Sequence, residues 1–230
     1  MERVVLKTGF ILTILAFNCA LALAIPAEGS FFPLEHGSVW GFEYNQIFLR
    51  DFNKVEGKAS TRQQFLAASF ALTDRFFLDG KIGMGNIDFE RNDDVDLSFP
   101  AGFAGGYGFR YLWLKDELPG WESSFGFQHI SCHPFSDEYA GQTYHVIWDE
   151  WQGTLLLIKR FDDFSVYCGP QYNATQLKYK VEDFRRRLWA EDYWGWEIGA
   201  DYKIGSDSNL NLEFRFLDEW AVNVGVAKRF

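Results

Sequence analysis

Residues 194–230 read WGWEIGADYKIGSDSNLNLEFRFLDEWAVNVGVAKRF. Trp194, Trp196, Ile198, Ala200 and Tyr202 alternate with Glu197, Asp201 and Lys203. After a turn over Gly205 to Asn209, Leu210, Leu212, Phe214 and Phe216 alternate with Asn211, Glu213 and Arg215. A short link near Asp218-Glu219 leads to Trp220, Val222, Val224, Val226 and Phe230 on one face of a last segment. A period of two is the signature of a β-strand with unlike faces. Here one face is wholly apolar and rich in large aromatics, and the other mixes acids with bases. A soluble sandwich would turn the apolar face inward and would have to pack all these rings into one core. A barrel in a membrane turns it outward and keeps the charges in a narrow lumen.

Upstream the pattern repeats. Alternating segments run from about Val39 to Leu49, Gln63 to Leu72, Phe76 to Phe89, Ala101 to Lys115, Trp121 to His133, His145 to Arg160, Phe164 to Lys180 and Trp189 to Ile204. Glu43, Asp79, Lys81 and Arg110 join the inward polar set, and Leu66, Phe70, Tyr107, Trp113, Leu155 and Leu157 the outward apolar set. With 210–216 and 220–230 this predicts an all-β, antiparallel up-and-down transmembrane barrel of about ten strands, eight being the alternative. Aromatic residues make up 19 % of the chain, with 24 Phe, 10 Tyr and 9 Trp, a content that suits girdles at two membrane interfaces.

The links carry further information. Thr73-Asp74-Arg75, Pro119-Gly120, Asp162-Asp163 and Gly205 to Asn209 are short turns, whereas Glu90 to Ser98 and most alternate links are longer and charged. Barrels of this kind keep short turns in the periplasm, so both termini are expected there. Arg3 and Lys7 followed by the apolar run Gly9 to Ala24, ending in Ala22-Leu23-Ala24, predict a cleaved signal peptide over 1–24 and a barrel over 25–230. Cys19 has no lipobox before it. Cys132 and Cys168 fall near opposite ends of different strands, so no disulfide is expected. The formal charge is −10, which argues against a nucleic-acid partner. The final strand ending in Phe230 resembles the C-terminal assembly signal of bacterial outer-membrane proteins, and the resemblance implies recognition by a barrel assembly machinery.

The residues that could carry chemistry gather in Phe127-Gln-His-Ile-Ser-Cys-His133, followed by Asp137 and Glu138. Alternation places His129, Ser131 and His133 on the aromatic, lipid-facing side near the outer-leaflet boundary. A histidine two residues before a serine shares its face, so His129 could act as base for a Ser131 nucleophile, with Asp149 on the neighbouring strand, or Asp137 or Glu138, orienting the imidazole. The His129-x-Ser131 pair resembles the lipid A 3-O-deacylases and outer-membrane phospholipase A, which implies a lipid esterase. The position about a dozen residues on, where those families place an acid or amide, is occupied here by Thr143, and Cys132 stands where an asparagine commonly follows their serine. A metal site from His129, His133, His145 and Asp137 is a weaker option, because two histidines four apart suit a helix better than a strand. No phosphate loop or dinucleotide fingerprint is present, and no cofactor is implied. Arg185, Arg186 and Arg187, with Lys178 and Lys180 nearby, form a basic cluster in the link after the seventh strand. It is suited to phosphates of outer-membrane lipid, lipopolysaccharide among them.

Three functions are therefore open. The first is an outer-membrane barrel with a narrow, polar-filled lumen that anchors or binds at the cell surface without wide-pore conduction. The second is a lipid esterase, and the third a narrow transporter of small or apolar solutes.

Overall fold

The computed structural model describes residues 29–52, 57–91, 96–182 and 184–230. The signal peptide and its 22–24 cleavage site lie outside these residues. The strands are β1 (Ser38–Phe52), β2 (Gly57–Ala71), β3 (Phe76–Arg91), β4 (Asp96–Leu118), β5 (Trp121–His133), β6 (Asp137–Tyr139), β7 (Gln142–Arg160), β8 (Phe164–Val181), β9 (Phe184–Trp189), β10 (Trp194–Lys203), β11 (Ser208–Phe216) and β12 (Trp220–Arg229). All pairings are antiparallel, and β1 closes on β12 from Val39↔Arg229 to Leu49↔Trp220. β6 pairs with the start of β7 beyond the end of β5, and β9 pairs with the end of β8 beyond the start of β10. Each is a short arm on a shared edge, so the closed barrel has ten staves. Closure of the ten staves leaves no open seam in the barrel wall, the condition for crossing lipid with strands.

The faces are inverted relative to a soluble protein. Trp194 is 67 % and Ile198 49 % exposed, while Glu197 and Asp201 on the other face of the strand are at most 1 % exposed. Of the expected inward charges only Lys203 is exposed; it stands at the mouth of the barrel, where its ammonium reaches the carbonyl of Asp162. Cys132 faces inward and Cys168 outward, both as free thiols.

The lumen departs from the expected polar filling. Its middle carries most of the charged pairs, while Asp201 and Arg160 stand with the N-terminal segment at the terminus end. In the middle Lys81 pairs with Glu43 at 3.0 Å, Arg110 with Asp79 at 2.8 Å, and Arg50 with Glu219 at 2.7 Å. Gln152 donates to Gln171, and Gln171 to Asp218, linking β7 and β8 to the β11–β12 turn. Toward the end with the longer hairpins the interior is apolar, filled by Ile47, Phe65, Ile87, Phe89, Phe99, Trp148 and Leu177. At the terminus end a second apolar layer holds Phe77, Leu112, Ile158 and Tyr167, with Phe32 inserted from the segment before β1. That segment is tied in by backbone contacts. The Ser30 amide donates to Asp201, Arg160 donates to the Ser30 carbonyl, and Arg229 donates to the Phe32 carbonyl. Inward apolar residues such as Phe65, which lies between Gln64 and Leu66, are masked by the stronger outward pattern.

Three expected boundaries move, for one reason. Above the lipid belt the outward face is polar and the apolar residues face inward, so the outward apolar pattern ends while the hydrogen-bond ladder continues. β2 therefore starts at Gly57 and not near Gln63, with Lys58, Ser60 and Arg62 continuing the outward side. Of the charged link Glu90 to Ser98, residues 90–91 and 96–98 are strand, with Glu90 paired to Asp96. The expected loop carrying Arg185, Arg186 and Arg187 is strand β9. The expected single strand over 189–204 breaks at 190–193. There Ala190 bridges to Phe52 and the Glu191 amide donates to the Asp51 carbonyl. This link completes the wall above the short β11–β12 turn.

Candidate functional site

β5 carries His129, Ser131 and His133 on its outward face because strand side chains alternate. Its neighbours are fixed by register. Tyr107, His129 and Trp151 lie in one cross-strand row; Gly105, Ser131, Asp149 and Gln176 form the next row up. The outward side of β8 is apolar from Phe164 to Ala174 and polar from Gln176 onward. About ten residues is the span of a tilted membrane strand, so the Ser131 row sits where the apolar belt ends.

The structure brings Ser131 and Asp149 together. The Ser131 hydroxyl donates to Asp149 Oδ1 at 2.6 Å, and the other carboxylate oxygen pairs with the Lys178 ammonium. Ser131 Oγ also lies 2.9 Å from Nε2 of His133. His129 is differently engaged: its Nδ1 lies 3.0 Å from the Glu150 carbonyl oxygen, its ring stacks on Trp151 at 4.9 Å, and Tyr107 meets it edge-on at 5.4 Å. A carbonyl accepts only, so Nδ1 holds the proton and the ring is fixed as part of an aromatic row. The histidine within reach of Ser131 is thus His133. The carboxylate touches the hydroxyl and not the far nitrogen of an imidazole, and the order of groups is acid, serine, histidine.

Asp137 bonds the Ser98 amide at 3.2 Å, tying β6 to β4, and Glu138 is exposed in β6. Arg185 and Arg187 stand opposite Lys180 and Lys178, whereas Arg186 stands opposite the inward-facing Tyr179. Together with His145 and Ile147 these residues line an open cleft of about 340 Å³. The sequence separates Lys178 and Lys180 from the arginines by several residues; the β8–β9 hairpin register is what joins them.

Neither the known family descriptions nor the characterised proteins contain a match to this sequence. Solved structures do resemble it. An outer-membrane channel from Pseudomonas putida F1 superposes with a TM-score of 0.51 at 10 % identity, covering 90 % of this chain and 99 % of that one. The outer-membrane protein OprG from Pseudomonas aeruginosa gives 0.49 at 10 % identity, covering 86 % and 98 %. The fold is that of bacterial outer-membrane β-barrels. At these identities the likeness extends to the fold alone.

Proposed function

We propose that this protein is an integral outer-membrane barrel without a wide pore, and that it works by binding at its outward surface near the long-hairpin end. The loop pattern supports placing that end outside the cell, with both termini in the periplasm. The observation that carries the reading is a lumen filled at three heights, by an apolar layer, a charged layer and a second apolar layer closed by Phe32. The similar Pseudomonas putida barrel is described as a channel, but here apolar side chains fill the lumen both above and below the charged pairs. Planar-bilayer recording of refolded protein tests this: the expected result is no stable large conductance, and long-lived open currents reject the reading.

The contact of Ser131 with both His133 and Asp149 favours a second reading, a lipid esterase. Ser131 Oγ would attack the ester carbonyl carbon, and the bond to the alcohol oxygen would break. With the hydroxyl turned from Asp149 to a neutral His133 Nε2, the serine proton would pass through His133 to the departing alkoxide, and water would then release the acid. Acyl release from lipid A and phospholipid is the assay. Ser131→Ala and His133→Ala are expected to lower it by several orders of magnitude, and His129→Ala by much less. Equal rates in the parent and Ser131→Ala leave the binding reading alone.

A further inference from the structure

β7, β8 and β9 continue past the apolar belt as one wall, and their register sorts the outward side into rows. Asp149, Gln176 and Trp189 form the lowest; Ile147, Lys178 and Arg187 the next; His145, Lys180 and Arg185 the uppermost. Residues directly opposed on antiparallel strands share a face, so four cations and a histidine converge on one cleft. Lys178 is neutralised by Asp149. Among the described residues, Lys180, Arg185 and Arg187 form no ion pair, and both arginines are exposed. Like charges placed opposite one another across strands destabilise a sheet unless an anion screens them. This concentration of positive charge stands on a chain whose net charge is −10.

We propose that the cleft binds the phosphate groups of a phosphorylated glycolipid headgroup in the outer leaflet, an inference that rests on the orientation proposed above. Arginine forks meet phosphate oxygens in pairs, and lysine adds point charge. The height is right for a headgroup, because Trp189 and Trp151 lie just below with their rings 6.5 Å apart, marking the interface. Asp149 is the single carboxylate in these rows, and it is already engaged. The site therefore needs no divalent ion to bridge acid to phosphate, and binding should survive a chelator.

The test is titration calorimetry of the refolded full chain in neutral detergent micelles with EDTA present. The probes are phosphorylated lipid A, the same lipid with its phosphates removed, and inorganic phosphate. The expected result is at least tenfold tighter binding of the phosphorylated lipid, weakening as salt is raised. The Arg185→Ala/Arg187→Ala variant should lose tenfold or more, as should Lys180→Gln, each with heat-modifiable gel mobility retained. Lys58→Ala removes an exposed cation outside the cleft, in β2, and should bind like the parent. Equal affinity for the two lipids, unchanged affinity in the arginine variant, or full displacement of lipid by millimolar phosphate overturns the proposal; the last would mark a free-phosphate site. Bilayer recording keeps the two readings apart. A barrel that binds and conducts overturns only the closed lumen, and one that does neither overturns only the phosphate site.

Discussion

Ser131 has a histidine two residues away on either side, and both share its face. Sequence spacing alone cannot choose between them. The choice is made by neighbours from other strands: Trp151 and the Glu150 carbonyl hold His129, and His133 is left beside the hydroxyl. Asp149 was legible as an outward residue on the adjacent strand, but its pairing with Lys178 needed the β7–β8 register. The same dependence governs the lumen. Arg110 bonds Asp79 through two nitrogens, at 3.0 and 2.8 Å, and donates to Ser69 at 3.1 Å, with both partners almost fully buried. Asp79→Ala would leave the buried guanidinium without its carboxylate, at a cost of about 3–5 kcal/mol. The Asp79→Leu/Arg110→Met pair removes both charges at similar volume and should restore most of that loss. Urea unfolding in lipid vesicles measures both. A double variant as unstable as Asp79→Ala would show that the pair stabilises the barrel in a way its burial does not explain.

At the scale of the strand, a period of two with one apolar face was enough to locate the ten staves. Their upper limits were not legible, because above the belt the outward face turns polar and apolar residues such as Phe89, Phe99 and Leu177 face inward, reversing the pattern. β8 shows a second feature that pattern cannot convey. Its backbone approaches β7 so closely at Gly169 that a Cβ there would lie 1.9 Å from the Leu155 carbonyl oxygen. Pro170 follows, with no amide to donate, and the β7–β8 register resumes only at Gln171↔Thr154. Glycine is thus required in the middle of a strand, where it is otherwise unfavourable. Gly169→Val is expected to prevent closure of this seam, seen as loss of the compact, heat-modifiable band after refolding. Gly205→Ala, in the β10–β11 turn with open space around it, should refold as the parent does. Normal folding of Gly169→Val would mean that the two strands can separate there without losing the barrel.

For the whole molecule, two apolar layers lie in series along one lumen. Phe31 and Phe32, in a segment held by Arg160 at the Ser30 carbonyl and Arg229 at the Phe32 carbonyl, fill the terminus end; Phe89 and Phe99 belong to the layer at the other end. Current through a path in series is limited by its tightest point, so opening one layer should not make a pore. Removing residues 29–33 exposes Arg110, Arg160 and Asp201 to the mouth, yet leaves Ile87, Phe89 and Phe99 packed above the charged layer. Phe89→Ala/Phe99→Ala hollows that upper layer, at about 3–5 kcal/mol per ring, yet leaves Phe32 in place. Each change alone should give bilayer recordings as quiet as the parent's, and their combination should give small, stable, ohmic currents. The charged middle, with acids such as Glu43, Asp79 and Glu150 in its walls, should then favour cations. Stable current from the 29–33 deletion alone would show that the upper layer does not close the lumen. The N-terminal segment would then be the only seal, and the protein a plugged channel.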